Sequence, residues 1–515
     1  MRLLILLMLG FSCCSVWAEE EGGAFDILEY QVDGNTVLPQ GKIEEAIYPY
    51  MGEGKSIATV EEARVALEKT YRDAGYPTVF VNIPEQEVNG GMVRLQVSEG
   101  DVERLRVVGA HYYSLGTIRE RVPELAEGKV PHFPTVQKQL ATVNRGTDRQ
   151  VAPVLRPGKS PGKVEVDLKV QDHSPFHGGI ELNNRYSANT THTRLNGSMR
   201  YDNLWQSDHS LGISFQVSPE NTDETKVLSA TYLVPRLNGD YLALYGIKSE
   251  SDIAAIGDVG VVGNGTIFGV RYIHPMPGVG NYFHTLTLGA DYKDFDETTV
   301  LQGADSFNTP ITYMPFYLGY DGTLRSQKSE TQATLGLTFS LRGFVNDEQE
   351  FAEKRFLAQS NFAALRADIE HTQQLGDWKL NVRLASQLAS GPLISSEQFA
   401  VGGADSVRGY MESNSMGDDG VYGSLELRTP SMARHLPGEI KELYALAFTD
   451  AGHARVREPL PAQTEKFDLA SAGLGLRLKG LHGLSGALDY ARALRTSGQI
   501  KNGDDRLHFR VSYDW

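Results

Sequence analysis

The stretch Gly402-Gly403-Ala404-Asp405-Ser406-Val407-Arg408-Gly409-Tyr410 sets one arginine among small and aromatic residues, and further on Phe448-Thr449-Asp450-Ala451-Gly452 sets one carboxylate in an uncharged run. Between them lie Glu426 and Arg428. The chemistry open to these residue types is ionic recognition. A guanidinium fork holds a carboxylate through two parallel hydrogen bonds and stays charged at any working pH, and a glycine beside it lets the backbone turn close to a wall. Covalent, phosphate and metal chemistry lack their patterns: no Gly-x-Ser-x-Gly elbow, phosphate-binding loop, His-Glu-x-x-His or cysteine-pair site occurs, and the histidines are scattered. The expectation is a protein that is no enzyme and holds no cofactor and no metal.

What must position these charges is a long run of strands. After Ser174-Pro175 no long amphipathic helix is legible, and the hydrophobic period becomes two for the remaining 341 residues. Ala333, Leu335, Leu337, Phe339 and Leu341 oppose Thr334, Gly336, Thr338, Ser340 and Arg342. Leu380, Val382, Leu384 and Leu388 oppose Lys379, Asn381, Arg383 and Gln387, and Leu474, Leu476 and Leu478 oppose Gly473, Gly475, Arg477 and Lys479. About sixteen segments of roughly 10–14 residues fit, an even number at a length that crosses a bilayer when tilted. The chain ends on Leu507, Phe509, Val511, Tyr513 and Trp515 along one face, with His508, Arg510, Ser512 and Asp514 along the other. A terminal aromatic closing such a strand is an insertion signature of bacterial outer-membrane barrels, so Phe509, Tyr513 and Trp515 are read as the insertion signal. A β-sandwich would use shorter strands. Long connections are expected at 295–309, 343–354 and 391–419.

Composition agrees. Hydrophobic content of 41%, charged content of 22% and a mean hydropathy of -0.30 exclude a polytopic helical membrane protein but leave room for a barrel with a wet lumen. A net charge of -16 disfavours nucleic acid as a partner. Arg2 before the apolar run Leu3–Phe11, with Val16-Trp17-Ala18 behind it, marks residues 1–18 as a secretory signal peptide. Both cysteines, Cys13 and Cys14, fall inside it, so the mature chain has none and its charge, without Arg2, becomes -17.

Ahead of the strands stand two small α/β repeats, residues 24–99 and 100–173, with the barrel at 174–515. Val32, Gly34, Gly41 and Ile43 recur 75 residues on as Val107, Gly109, Gly116 and Ile118. Each copy reads β-α-α-β-β. In the first, Thr59 with Glu62 is a capping box for a helix carrying Val60, Ala63, Leu67 and Tyr71 up to Gly75. Thr78–Ile83 then forms a hairpin with Met92–Val97. In the second, Thr135 starts a helix with Val136, Leu140 and Val143, and Val164, Val166, Leu168 and Val170 line the last strand.

Val407-Arg408-Gly409-Tyr410, ahead of the twelfth predicted strand, resembles the signature of polypeptide-transporting outer-membrane barrels, and Phe448-x-Asp450-x-Gly452 resembles its thirteenth-strand partner motif. With two modules that look like polypeptide-transport-associated (POTRA) domains, the chain resembles the two-partner secretion transporters: the haemolysin activators and the transporter of filamentous haemagglutinin. The resemblance implies a sixteen-stranded barrel in the Gram-negative outer membrane with its N-terminal domains in the periplasm. It implies that the motif loop folds back into the lumen and that Arg408 pairs with Asp450 on the wall. It further implies that an unfolded exoprotein of haemolysin, haemagglutinin or adhesin type is received by the POTRA-like domains and exported through the pore. Outer-membrane lipid and, during biogenesis, the barrel assembly machinery are the other implied partners. The rivals are a barrel-assembly factor of the same superfamily and a porin-like channel. Strict alternation puts Asp450 with Tyr444, Leu446 and Phe448, so either Phe448 and Asp450 both face the lumen or a bulge intervenes. Glu426 and Arg428 are expected to face the lumen. Val93–Val97 and Val164–Val170 are candidate edges for strand addition by a client. Some such transporters carry a plugging N-terminal helix, and the short stretch between Ala18 and Phe25 leaves no room for one.

Overall fold

The computed structural model describes residues 24–515 apart from 237, 252, 257–258, 263, 301–305, 434–437 and 462. The signal peptide at 1–18 and the stretch expected to carry no plug helix therefore lie outside the described residues. The chain divides between His173 and Ser174 into two units.

In the N-terminal unit the repeat is real in three dimensions. The first copy runs β1 (Phe25–Ile27), β2 (Glu29–Asp33), α1 (Gln40–Ile47), β3 (Gly52–Lys55), α2 (Ile57–Asp73), β4 (Val79–Asn82) and β5 (Met92–Glu99), and the second β6 (Val102–Val108), α3 (Leu115–Glu120), α4 (Phe133–Val143), β7 (Arg149–Pro157) and β8 (Val164–Asp172). Ile43 and Ile118 are buried at matching places in the two cores. One of the two recurring glycine pairs, Gly34 and Gly109, has a shared steric cause. Gly34 has φ +89° and a Cβ on it would lie 2.3 Å from the Val97 carbonyl oxygen, while Gly109 has φ +90° with the Val170 oxygen at 2.6 Å. Neither position admits a side chain.

Three expectations are corrected here. Helix α2 begins at Ile57 with Ser56 as N-cap, so Thr59 and Glu62 lie inside its first turns and form no capping box. Helix α4 begins at Phe133 rather than Thr135, because Pro134 fits the first turn, where its missing N–H has no partner to lose. The proposed edges are not edges. The sheets order β2-β5-β4 and β6-β8-β7, so Val93–Val97 and Val164–Val170 belong to central strands, paired on both sides. Near-complete burial of Val93, Leu95 and Val97 fits a central place. The outer edge of β7 is guarded: the Asn144 amide bonds both the N–H (2.7 Å) and the carbonyl (2.9 Å) of Val151. Pro153 and Pro157, two and six residues on, bring no N–H to the strand.

The second unit is a closed antiparallel barrel. Its sixteen strands are, in order, Phe176–Asn183, Arg194–Leu204, His209–Val217, Thr225–Pro235, Tyr241–Ser251, Asn264–Pro275, Tyr282–Val300, Ser306–Arg325 (interrupted at Met314), Ser329–Ser340, Ala363–Leu375, Trp378–Ala389, Asp419–Arg428, Ile440–Arg455, Lys466–Gly480, Leu484–Ala493 and Asp505–Asp514. Alternation decides what each face meets. On strand 11 Val382, Leu384 and Leu388 point outward, while Asn381 and Gln387 are buried inside. The barrel closes where strand 16 pairs with strand 1, and Trp515 exchanges both backbone hydrogen bonds with Gly178. A Cβ at Gly178 would fall 2.3 Å from the Trp515 ring, and Tyr513 stacks on Trp515 at 5.8 Å. The expected connection at 295–309 is shorter than foreseen, since strands 7 and 8 continue to Val300 and from Ser306. The connection at 343–354 holds a helix, α5 (Glu348–Lys354).

Candidate functional site

The connection between strands 11 and 12 turns back into the barrel and seats its tip on the walls of strands 12 to 16. Arg408 grips Asp450 through Nε to Oδ2 and Nη2 to Oδ1, both at 2.8 Å, and its backbone N–H also donates to Oδ2 at 3.1 Å. Nη1 donates to Glu426 Oε1 at 2.7 Å, and Ser424 Oγ donates to Asp450 Oδ1 at 2.7 Å. The guanidinium lies over the Phe448 ring, 3.4 Å from its centroid. Arg428 holds the other oxygen of Glu426 at 2.7 Å, and Arg477 binds Asp489 bidentately at 2.7 and 2.9 Å, with Asp489 itself 4.0 Å from Arg408. Three cations thus face three carboxylates, with Arg408 at 4% and Asp450 at 1% exposure at the centre and Arg428 and Arg477 partly exposed at its margin. Burial of this kind is tolerable only because each charge is paired and hydrogen-bonded.

Phe448 and Asp450 both face inward, and no register shift interrupts strand 13 there. The apolar parity that looked anomalous belongs to the lumen: Phe448 is the ring under Arg408, and it packs over Gly473, where a Cβ would lie 2.4 Å from it. Gly452 has an equally local reason. A Cβ there would meet Val401 Cγ1 at 2.5 Å and Val407 Cγ2 at 2.9 Å, so the last residue of the wall motif is small because Val407 of the loop motif sits on it. Gly409 has φ +95°. Tyr410 is fully buried, its Oη 2.7 Å from the Arg495 carbonyl and 3.0 Å from that of Ala470. Gly452→Leu is expected to expel the loop with every charge retained, through overpacking of about 1–3 kcal/mol. New protease cleavage within residues 402–418 of the inserted barrel would register it.

The structure brings together Val407, Arg408, Gly409, Tyr410, Glu426, Arg428, Phe448, Asp450 and Gly452. Phe509, Tyr513 and Trp515 lie away from the cluster, on the strand that closes the barrel. Sequence reasoning missed Ser424, Asp489 and His508. Each stands on the polar parity of its strand, and charge at inward parity on neighbouring strands was the available signal for Asp489.

A second, apolar cluster fills the far mouth, opposite both ends of the barrel chain. Val227, Ile247, Ile267, Phe295, Ile311 and Tyr313 of strands 4 to 8 pack against Phe351 of α5 and against Ala358, Phe362, Leu393 and Ile394. Buried ion pairs pin it. Arg355 binds Asp418 bidentately at 3.0 and 2.8 Å, and the Asp418 carboxylate also accepts from the N–H groups of Leu393 (2.8 Å) and Arg457 (2.7 Å). Lys293 and Tyr313 both reach Glu397 Oε1, at 2.6 and 2.7 Å. A polar lumen alone was expected, and this core was not.

Comparison with known proteins is consistent with this geometry. Residues 25–100 match the POTRA domain of ShlB type, and residues 306–478 match the haemolysin secretion/activation protein family ShlB/FhaC/HecB. The outer membrane transporter CdiB of Dickeya dadantii is 24% identical over 463 residues, covering 84% of this chain and 77% of that one. The heme/hemopexin transporter protein HuxB of Haemophilus influenzae is 21% identical over 396 residues, covering 72% and 66%. CdiB from Escherichia coli superimposes with a TM-score of 0.65 at 20% identity, over 98% of this chain and 93% of that one, a likeness of fold. The two family matches fall in chain order, one in the N-terminal unit and one in the closed sixteen-stranded barrel, so the chain is similar to the outer-membrane transporters of the haemolysin secretion/activation family and their POTRA domain.

Proposed function

We propose that this protein is a protein translocase of the outer membrane: its periplasmic POTRA domains receive an unfolded secreted exoprotein, and the barrel exports it. The observation that carries this reading is the re-entrant loop held inside a closed barrel by the Arg408 network. A loop held by reversible ionic contacts, the Arg408 socket and the bidentate pair between Arg185 and Asp405, is a stopper that can leave, and a sixteen-stranded barrel is wide enough for an extended chain once it does. The client is of haemolysin, haemagglutinin or adhesin type, a class in which the cargo must arrive extended. With no nucleotide site in the sequence to drive transport, folding of the client outside the cell biases its diffusion through the pore. The apolar outer band meets lipid, and the Phe509, Tyr513 and Trp515 strand is what the assembly machinery reads during insertion. Glu426 and Arg428 belong to the stopper's socket. Because β5 and β8 are internal, a client strand would add at β2, β4 or β6, the outer edge of β7 being guarded.

Deleting the gene and assaying the medium and the outer membrane tests this. Loss of one large exoprotein from the surface with a normal complement of barrels is expected. Normal exoproteins with depletion of many barrels would move the reading to barrel assembly, and loss of neither would leave a porin-like channel.

A further inference from the structure

The loop tip is held by its side chain on strands 12 and 13, but its backbone is held elsewhere. The Gly409 N–H points at His508 Nε2 on the final strand, at 3.2 Å. His508 is 4% exposed and takes no part in the ion network. To accept from Gly409, Nε2 must carry a lone pair, so the ring is neutral with its proton on Nδ1, and Nδ1 has no partner among the described residues. The one carboxylate paired across from it is Asp489 on strand 15, already bound twice by Arg477. A buried imidazole that leaves its own N–H unmet in order to accept one backbone proton is placed for that proton.

We infer that His508 is a positioning residue of the lumen loop, a neutral acceptor that fixes the Gly409 backbone so that Arg408 reaches Asp450 and Glu426 together. It couples the stopper to the strand that closes the barrel. This rests on the reading of the loop as a stopper, and the test separates the two.

Purified full-length protein in planar bilayers is compared as wild type, His508→Leu, His508→Gln and Arg408→Ala. Leucine removes the acceptor. Glutamine returns an amide oxygen near the place of Nε2. His508→Leu should raise the open probability about five- to tenfold, the shift that one hydrogen bond can give a two-state equilibrium, and His508→Gln should return it toward wild type. A leaky Arg408→Ala barrel with a quiet His508→Leu barrel overturns the inference alone, as does glutamine as leaky as leucine. If both Arg408→Ala and His508→Leu stay shut, the stopper reading itself falls. Should His508→Leu fail to insert, the 15N shifts of the wild-type imidazole, assigned by difference against His508→Gln, decide. A proton on Nδ1 at neutral pH supports the role, whereas a proton on Nε2 or on both nitrogens overturns it.

Discussion

Arg408→Ala is expected to insert into the outer membrane and migrate as a folded barrel, yet to leak ions at rest and to export its client poorly. The substitution strips Asp450 and Glu426 of their shared cation where neither can regain water, and removal of one partner from such a pair costs about 3–5 kcal/mol. That cost falls on the docked loop and not on the barrel wall, whose strands keep their ladders. The undocked population should therefore rise by roughly 10²- to 10⁴-fold. Arg408→Lys should fail nearly as badly, because a single ammonium cannot span both oxygens of Asp450 and still reach Glu426 Oε1. Asp450→Asn keeps the shape and removes the charge, and it should fall between the two. Antibiotic sensitivity reports the leak, heat-modifiable migration reports the barrel, and the amount of exoprotein in the medium reports export. Wild-type export from an inserted Arg408→Ala barrel would remove the ion pair from the mechanism.

Much of this was legible because period and parity are local. Sixteen strands follow from alternation, and the two repeats from an offset of 75 at which Gly34 and Gly109 make matching close approaches to a carbonyl. The pairing of Arg408 with Asp450 was legible only through resemblance, since nothing in a strand's own pattern says which inward charge a distant loop will meet. What stayed hidden was relational. Strand order within a small sheet depends on a parallel pairing, β2 with β5 and β6 with β8, that periodicity cannot signal, and so the pattern alone does not show that Val93–Val97 and Val164–Val170 are central. The direction of Phe448 and Asp450 stays open in the sequence, between a shared lumen face and a bulge, because apolar side chains face outward in a barrel with an aqueous lumen. That rule fails wherever a loop returns to fill the lumen, and it fails for the same reason at Ile247, Ile267 and Phe295 beneath the far cap.

The far cap raises the second large effect. Asp418→Asn should loosen three connections at once: the one after strand 9 through Arg355, the two feet of the re-entrant loop through Leu393 and Asp418 itself, and the one after strand 13 through Arg457. The carboxylate is fully buried and faces only donors: the Arg355 fork, two backbone N–H groups and the Gln398 amide at 3.2 Å. An asparagine would turn two further donors into that ring and leave Arg355 as a buried cation without a counterion, a loss of about 3–5 kcal/mol. Asp223→Asn is the matched control. Its pair with Lys226 is made at 2.7 Å but stands in solvent, so its removal should change little. Protease added to intact cells should cut Asp418→Asn within 355–362, 391–398 or 456–465 at least tenfold faster than wild type or Asp223→Asn, with the barrel still folded. Because the Arg408 socket is untouched, the leak of Asp418→Asn alone should stay below that of Arg408→Ala, and the double variant should exceed both, as two closures in series require. Equal cleavage in Asp418→Asn and Asp223→Asn would mean that the apolar packing around Phe351 and Tyr313 holds the mouth without its ionic hub.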